Sequence, residues 1–244
     1  MRNIIIAIII MTGMLGTGMI IRDAYKSRVL GEETVRVTGG AEVSFSSDLA
    51  VWRGDFERSA GDLKTVYNLM KDDEKKIRAF LEKNGFTGST ISINPPTVNK
   101  EYSNEYGANG QMTSIFAGYR LSQSVSVESN NIDQIEKVSR EASSLIESGV
   151  TLSSYTPSYY YTKLSDVKLS LLEKATAQAN ERAKVLAENS HTNILRLKDA
   201  SMGVFQILGK NSNEDYSEYG TFNTDSREKR ATITVRAEYV IGTK

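Results

Sequence analysis

The stretch VRVTGGAEVSFSSDLAVWRGDF, residues 35–56, decides the fold that the sequence predicts. Apolar and polar side chains alternate along both of its ends, and this period of two is typical of half-buried β-strands. Between the two ends, Ser46, Ser47 and Asp48 form a run of turn residues. The stretch therefore predicts a β-hairpin with one apolar face that other elements must cover.

Two successive glycines, Gly39 and Gly40, lie inside the first predicted strand. Glycines within a strand indicate either a bulge or the close approach of another backbone. The segment lacks the spacing and the following helix of a phosphate-binding loop, and the motif GxxxxGK[ST] does not occur in the chain. We therefore expect the glycine pair to have a structural role.

Three segments show the three- and four-residue spacing of apolar side chains that predicts amphipathic helices. They cover approximately residues 61–84, 130–149 and 165–189, and Asn84-Gly85 is expected to end the first of them, because glycine tolerates the left-handed conformation there. Further extended segments are predicted at residues 90–98, 115–127, 150–161, 194–208 and 231–241, with polar loops at residues 99–112 and 209–229. This order predicts an α+β fold in which mainly antiparallel sheets carry long amphipathic helices packed on one face.

The amino-terminal segment IIIAIIIMTGMLGTGMII, residues 4–21, contains no charged side chain. As a helix it would be ~27 Å long, close to the ~30 Å hydrocarbon core of a bilayer. Gly16-Thr17-Gly18 has the small-x-small pattern of a signal-peptide cleavage site, whereas the continuation of the apolar run to Ile21 favours an uncleaved anchor. Both alternatives predict that the rest of the chain is exported.

These features predict three parts of the chain. Residues 1–22 are a transmembrane anchor or signal segment, residues 23–33 are a charged linker, and residues 34–244 are an α+β region with sub-units at 34–112 and 113–244. Contact with the membrane is predicted through residues 4–21 alone.

Composition excludes several classes of function. The 30 basic residues balance 30 acidic ones, so no overall field attracts nucleic acid, and we expect no nucleic-acid partner. The chain contains no cysteine, which excludes thiol catalysis, zinc–thiolate sites and disulfides. Because His191 is the only histidine, two-histidine metal sites are excluded, and a Ser-His-Asp arrangement would have to use this residue.

The residues that remain as candidates for chemistry have structural interpretations. His191 directly follows the third predicted helix, where a cation interacts favourably with the helix dipole. Asp48 lies in the predicted turn, and Asp55 and Glu57 share one face of a strand, so all three are interpreted as solvated side chains. We expect a protein without catalytic residues, cofactors or metal ions.

Tyrosines are the most suggestive residues. Tyrosine is enriched at protein interfaces because it buries a large area and keeps a polar group. The predicted interface candidates lie in the extended segment 150–161 and in the two polar loops: Tyr155, Tyr159, Tyr160, Tyr161, Tyr106 and Tyr219.

Several motifs together resemble the SIMPL-domain family, which includes bacterial periplasmic immunogenic proteins and relatives linked to oxidative-stress defence. Residues 35–43, VRVTGGAEV, are similar to its opening strand V-x-V-x-G-x-G-x-V, with Ala41 in place of the second glycine. Asp48 and Ala50 resemble its P-D-x-A turn, with Ser47 in place of proline. The segment 174–187 resembles its helix A-x-x-x-A-x-x-K-A-x-x-L-A.

This resemblance implies an extracytoplasmic, self-associating α+β protein and supplies no catalytic residue. The sequence therefore predicts a non-enzymatic protein of the bacterial cell envelope that acts by self-association or binding, with a role in stress tolerance implied by the resemblance. It would face the periplasm from an inner-membrane anchor, or be periplasmic if the leader is cleaved. The alternative is a binding module for a small envelope ligand or a protein, which would use the tyrosine-rich strand and loops.

Overall fold

A computed structural model describes residues 11, 13, 16–19, 21, 32–106 and 112–243. Most of the predicted membrane segment, residues 4–21, lies outside the described residues. Within the described part of the chain, no helix is both long enough and apolar enough to cross a membrane.

Residues 32–106 and 112–243 form ten strands and four helices. The strands are β1 (Thr34–Ser46), β2 (Leu49–Ala60), β3 (Ile91–Ile93), β4 (Thr97–Tyr106), β5 (Met112–Ser129), β6 (Leu152–Ser154), β7 (Ser158–Tyr160), β8 (Asn193–Met202), β9 (Gln206–Gly209) and β10 (Glu228–Gly242). The helices are α1 (Leu63–Lys83), α2 (Ile132–Glu141), α3 (Ser144–Glu147) and α4 (Leu164–Asn189).

The strands form two sheets. One has the order β1-β10-β8, with β9 also paired to β10, and the other has the order β3-β5-β2-β6, with β4 paired to β5 and β7 paired to β2. The pairs β10–β8, β2–β5, β2–β6, β2–β7, β3–β5 and β4–β5 are all antiparallel. The predicted α+β class with mainly antiparallel sheets is confirmed.

The predicted hairpin over residues 35–56 is wrong, because β1 and β2 belong to different sheets. The two residues between these strands bond to distant segments instead of closing a turn. The side chain of Asp48 accepts hydrogen bonds from the backbone N–H (2.8 Å) and hydroxyl (2.7 Å) of Thr162. The backbone N–H of Ser47 donates to the carbonyl of Arg227 at 2.9 Å. Each strand then pairs with strands from elsewhere in the chain.

Other predicted boundaries also changed. Residues 99–112, predicted as a polar loop, contain most of β4, whose pairing with β5 satisfies the backbone groups on one side of the strand although both its faces are exposed. The predicted strand 194–208 is divided into β8 and β9, and the second predicted helix is divided into α2 and α3. The helix stop at Gly85 is confirmed, since this glycine has a left-handed φ of 87° and its N–H donates to the carbonyl of Glu82.

The described residues fall into two compact units, each built from separated segments. Unit 1 comprises the described residues up to 42, residues 168–205 and the residues from 232 onward. Unit 2 comprises residues 43–167 and 206–231. Each unit is therefore assembled from segments that are far apart in the sequence. The segment 43–167 of unit 2 includes residues from both of the predicted sub-units, 34–112 and 113–244.

Unit 1 has a sheet of β1, β10 and β8 residues covered by α4. A Cβ added to Gly39 of β1 would lie 2.1 Å from the carbonyl oxygen of Ala175 and 2.5 Å from the backbone nitrogen of Ala179. The helix therefore lies directly on the strand backbone. Of the two predicted alternatives at the glycine pair, a bulge or a close backbone approach, Gly39 shows the close approach. The buried face of α4 consists almost entirely of small residues: Leu171, Ala175, Ala179, Ala183 and Ala187.

Unit 2 contains the larger core, where α1 and α2 cover β2 and β5. Its fully buried side chains include Trp52 and Phe56 of β2 and Met70 of α1. One ion pair lies among these apolar residues. The guanidinium of Arg58 donates to both carboxylate oxygens of Asp73, at 2.5 and 2.9 Å, and also to the carbonyl of Gly149. This bond network joins the sheet to α1 and to the turn after α3.

Candidate functional site: an exposed hairpin arm

The candidate site is the hairpin formed by β4 and the first part of β5, residues 97–106 and 112–118, which we call the arm. It lies wholly within unit 2. Tyr102 is opposite Phe116, and Tyr106 is opposite Met112. Because directly opposed residues in an antiparallel pair project from the same face, these four side chains share one face of the arm.

Both faces of the arm are exposed. Nearly every residue of β4 is exposed, as are residues 112–117 of β5. Large apolar side chains are among them: Tyr102 (58% exposed), Tyr106 (74%), Met112 (57%), Ile115 (43%) and Phe116 (45%). Ile115 is opposed to Ser103 and lies on the other face, whereas the remaining four side chains share one face. A group of exposed apolar side chains on one face typically marks an interaction site.

An aromatic ladder joins the arm to the core. The rings of Tyr102 and Phe116 are 5.9 Å apart at 77°, and those of Phe116 and Tyr119 are 5.2 Å apart at 72°. These are edge-to-face arrangements, which stabilise aromatic pairs by about 0.5–1.5 kcal/mol beyond burial. Tyr119 packs against the buried core of unit 2. The arm is therefore an extension of the core's apolar face beyond the part that the helices cover.

Glycine is required where the arm leaves the sheet. Gly118 has a φ of 145°, and a Cβ at this position would lie 2.4 Å from the carbonyl oxygen of Ala60. The ladder of pairs between β4 and β5 shifts by one residue immediately beyond it, between Glu101 and Tyr102. This bulge brings Phe116 onto the same face as Tyr119, because it offsets the usual alternation by one position.

An ion-pair network fixes the polar face at the base of the arm. Arg120 donates to Glu101 at 2.5 Å and to Glu57 at 3.3 Å. The hydrogen bond from Arg120, with a further one from Ser59, lowers the pKa of the Glu101 carboxyl. The same carboxylate raises the pKa of Arg120 through its hydrogen bond and its charge. The charge of Glu101 is therefore matched within the chain, which leaves Lys100 and Glu105 as the other charged residues of β4.

The six predicted tyrosines do not form one surface. The Tyr155 hydroxyl donates to Asp55 at 3.0 Å, and this bond to a carboxylate raises the pKa of Tyr155. The Tyr159 hydroxyl donates to Glu136 at 3.1 Å, and burial together with that carboxylate raises its pKa. Tyr160 is half-buried opposite Leu49 in the sheet.

The remaining candidate tyrosines differ in environment. The ring of Tyr161 lies 4.8 Å from that of Phe45, centroid to centroid. Tyr106 is in the arm, and Tyr219 is 94% exposed in the loop between β9 and β10. Of the predicted set, only Tyr106 therefore belongs to the arm. Tyr102 and Met112 were not recognised as part of a surface because residues 99–112 were interpreted as a loop. Ile115 and Phe116 were placed in the predicted strand 115–127, whose pattern does not show that its first residues are exposed. Val98, Tyr102 and Tyr106 share one parity, but Lys100 and Asn104 interrupt the pattern, so the signal for a strand is weak.

The other candidates for chemistry each have structural partners. Asp48 bonds to Thr162, Asp55 bonds to Arg53 and Tyr155, and Glu57 contacts Arg120. Among the described residues, no group of three or more His, Asp or Glu side chains is placed to hold a metal ion. The predicted absence of catalytic residues and cofactors stays a prediction.

His191 ends α4 through its backbone. It has a φ of 55°, which is left-handed, and its N–H donates to the carbonyl of Glu188 while that of Thr192 donates to Ala187. This pair of bonds is a Schellman motif, in which glycine usually occupies the position of His191. The residue therefore lies at the predicted capping position, and its backbone conformation defines the cap.

Lys229 is a buried cation that the sequence did not reveal. It is 1% exposed, and its ammonium donates to the carbonyls of Asn223 (2.6 Å) and Ser226 (2.8 Å). Burial lowers the pKa of Lys229. Since its bonds satisfy carbonyls of the loop between β9 and β10, its role is to hold that loop, as a lysine with no acceptor capacity can do.

A comparison with protein-family models gave a match over most of the chain. Residues 35–239 match the model of the SIMPL family, described as proteins of unknown function (DUF541). No curated protein matched the chain.

Proposed function

The chain belongs to the SIMPL family, and we propose that it is a non-enzymatic protein of the bacterial cell envelope that acts by self-association through its arm. The observation that carries this proposal is the exposed aromatic ladder. Tyr102 and Phe116 extend the apolar face of the core to a place that none of the helices α1–α4 covers. A partner surface would bury these side chains, and burial of apolar area drives association.

The energetics of a hairpin support the same proposal. A two-stranded hairpin alone is marginally stable in water, and further strands or a packed face stabilise it. The arm has one strand, β4, whose faces are both exposed, and it gains little from burial in the isolated chain. A second protein surface on the arm would supply the burial that the chain itself does not. The role in stress tolerance rests on the family resemblance.

Location in the envelope is supported by the uncharged segment at residues 4–21. Membrane fractions washed at alkaline pH provide the test. Retention of the chain in the washed membranes is expected for an anchor, and its quantitative release would contradict the anchored form.

The alternative function, a small-ligand or protein binding module that uses the tyrosine-rich strand and loops, has less support from the strand. The hydroxyls of Tyr155 and Tyr159 already bond to Asp55 and Glu136. Their polar groups are therefore committed within the chain, whereas the hydroxyl of Tyr106 and the rings of Tyr102 and Phe116 face solvent.

Light scattering of the full-length chain over a wide concentration range tests self-association. The monomer has a mass of 27.0 kDa, and we expect a protein mass of at least two chains. Tyr102→Ser combined with Phe116→Ser should weaken association by roughly 10- to 100-fold, because each lost aromatic contact contributes about 0.5–1.5 kcal/mol.

A matched control is available in the same chain. Tyr216 (63% exposed) and Phe222 (49%) are a tyrosine and a phenylalanine of similar exposure outside the arm. Tyr216→Ser combined with Phe222→Ser should leave the measured mass unchanged. A wild-type mass of one chain at every concentration would overturn the proposed function, and equal effects of both double variants would remove the arm from it.

A further inference from the structure

β4 is an edge strand with an unpaired side. Within the described part of the chain it pairs with β5 alone, and nearly all of its residues are exposed. The N–H and C=O groups on its other side form a row that can bind another strand. Addition of a strand to such an edge is a common form of protein recognition, in which main-chain hydrogen bonds supply affinity and side chains set the register.

The edge of β1 shows how this chain protects a strand. β1 is also at the end of its sheet, but α4 bonds to its backbone. The Gln178 side chain accepts from the N–H of Gly40 at 2.7 Å, and Arg182 donates to the carbonyl of Thr38 at 2.5 Å. Among the described residues, no helix makes such bonds to the backbone of β4. The open edge of β4 therefore contrasts with a protected edge in the same protein.

From this contrast we infer that the β4 edge binds the β4 edge of a second copy, antiparallel, about a two-fold axis at Tyr102. The inference rests on the proposed function and names its partner and geometry. A two-fold axis perpendicular to a sheet keeps the faces of both copies aligned, so a residue can be opposed only by residues of its own parity. This rule places the axis at a single residue of β4, so only a few registers of the two strands are possible.

Charge distinguishes among those registers, because like charges that are directly opposed destabilise a strand pair. An axis at Lys100 opposes two lysines, an axis at Glu101 opposes two glutamates, and an axis at Ser103 opposes Glu101 to Glu105. An axis at Asn99 or Asn104 pairs only residues 97–101 or 102–106, which is half of the strand.

An axis at Tyr102 avoids both problems. It pairs residues 98–106, opposes Lys100 to Asn104 and Glu105 to Asn99, and places no like charges together. The chain has no net charge that would oppose association of two copies.

The aromatic ladder favours the same axis. In one copy the ladder Tyr119–Phe116–Tyr102 ends at the edge of β4. In a directly opposed pair the Cβ atoms lie about 4.5–5.5 Å apart, so the ring of Tyr102 would contact the partner's Tyr102. The two ladders then form one aromatic row across the axis, which covers the exposed apolar face described above.

Cysteine cross-linking tests this geometry on the full-length chain. The chain has no native cysteine, so Tyr102→Cys introduces a single thiol at the axis. Opposed residues in antiparallel strands have Cα separations of about 4.5–5.5 Å, within the range that a disulfide spans. We expect disulfide dimers to form at least roughly tenfold faster than in Tyr155→Cys, a control with 49% exposure in unit 2.

The register has its own test. A mixture of Lys100→Cys and Asn104→Cys chains should give mixed dimers faster than either variant gives dimers with itself, because these two positions are opposed only when the axis is at Tyr102. Circular dichroism and the melting midpoint of each variant establish that it is folded. If Tyr102→Cys shows reduced stability, the mixed pair still tests the register, since it retains Tyr102.

The outcomes separate this inference from the proposed function. If the wild-type chain has a mass of two or more copies, but Tyr102→Cys cross-links no faster than Tyr155→Cys and the mixed pair shows no preference, the two-fold β4 interface is wrong and self-association stands. If Asn104→Cys alone forms dimers faster than Tyr102→Cys, the axis is wrong. A wild-type chain that is monomeric throughout would overturn both proposals.

Discussion

The two units cover their sheets in different ways. Unit 2 uses two helices, α1 and α2, and fills the space between helices and sheet with large side chains such as Trp52, Phe56 and Met70. In unit 1, α4 is the one helix that covers the sheet among the described residues, and the buried cluster contains Val37, Ala179, Ala183, Ala237 and Tyr239. The comparison shows that small residues can hold a helix on a sheet when they allow backbone contact.

The difference has a structural consequence. One helix cannot cover the full width of the sheet in unit 1, so grooves remain beside α4. One of about 460 Å³ is lined by Val37, Val185 and Leu186, and another of about 440 Å³ is lined by Leu172, Thr176 and Tyr239. The stability of unit 1 therefore depends on the close backbone contact between α4 and β1, and the stability of unit 2 depends on the large side chains that fill its core.

The largest expected loss of stability comes from adding a side chain at the close contact between β1 and α4 in unit 1. In Gly39→Ala, the new Cβ would lie 2.1 Å from the carbonyl oxygen of Ala175. Because backbone atoms cannot move aside as a flexible side chain can, we expect the free energy of unfolding to fall by about 3 kcal/mol. Hydrogen exchange resolved by segment is the measurement, with the loss of protection concentrated in residues 34–42 and 168–189.

Gly40→Ala is the matched control. The nearest atom to a Cβ at this position, the carbonyl oxygen of Ile233, lies at 3.8 Å. We expect the free energy of unfolding to stay the same or to rise by up to about 0.5 kcal/mol, because alanine loses less conformational freedom on folding than glycine does. If Gly39→Ala and Gly40→Ala lost the same amount of hydrogen-exchange protection, the backbone contact at Gly39 would not be what stabilises unit 1.

The second effect concerns the ion pair within the core of unit 2. Asp73 is 1% exposed, and Asp73→Ala leaves the guanidinium of Arg58 without its carboxylate. Removal of one partner of a buried pair costs about 3–5 kcal/mol, and the 25% exposure of the Arg58 side chain reduces this to about 2–3 kcal/mol. Urea unfolding followed by Trp52 fluorescence measures it, since Trp52 is the single tryptophan and lies in this core.

The neighbouring residue provides the control for that change. Asp72 is exposed and pairs with Lys75 at 3.1 Å. Asp72→Ala should alter the free energy of unfolding by less than about 0.5 kcal/mol, because exposed ion pairs contribute little. Similar effects at positions 72 and 73 would show that burial does not determine the contribution of this pair.

The smallest effect is a stabilisation of unit 1. His191 has a φ of 55°, a conformation that costs a residue with a Cβ about 1–2 kcal/mol. His191→Gly should raise the stability of α4 by about 0.5–1 kcal/mol after the flexibility of glycine in the unfolded chain is included. Hydrogen exchange of residues 180–189 provides the readout. His191→Val should have the opposite sign, and a loss of protection in His191→Gly would exclude backbone strain as the relevant factor.

Many of the helices and strands were predictable, because the spacing of apolar residues along the chain depends directly on the local backbone conformation. Apolar spacing predicted the helices that became α1 and α4, and alternation predicted β1, β2 and β10. Gly39 and Gly85 were recognised because a close approach and a left-handed helix end each favour glycine. The motifs of residues 35–43 and 174–187 led to the family, and the match over residues 35–239 confirmed it.

The site was less predictable. β4 has polar residues on both faces, so its sequence lacks the alternation that burial imposes on a strand. Its exposed aromatics became recognisable as a surface only when pairing with β5 placed Tyr102 beside Phe116. Lys229 and Asp73 were missed for a related reason, since a charged residue in sequence looks solvated until its partners are known.

The sequence by itself determined which segments are strands and helices, which residues face a core, and where glycine permits a backbone contact. Only the tertiary structure decided which strands pair. Backbone hydrogen bonds are chemically the same along every strand, so a segment such as 35–56 cannot specify its own partner. Asp48 accepts hydrogen bonds from Thr162, and the N–H of Ser47 donates to the carbonyl of Arg227. These bonds direct β1 and β2 into separate sheets, and both partners are more than a hundred residues away in the chain.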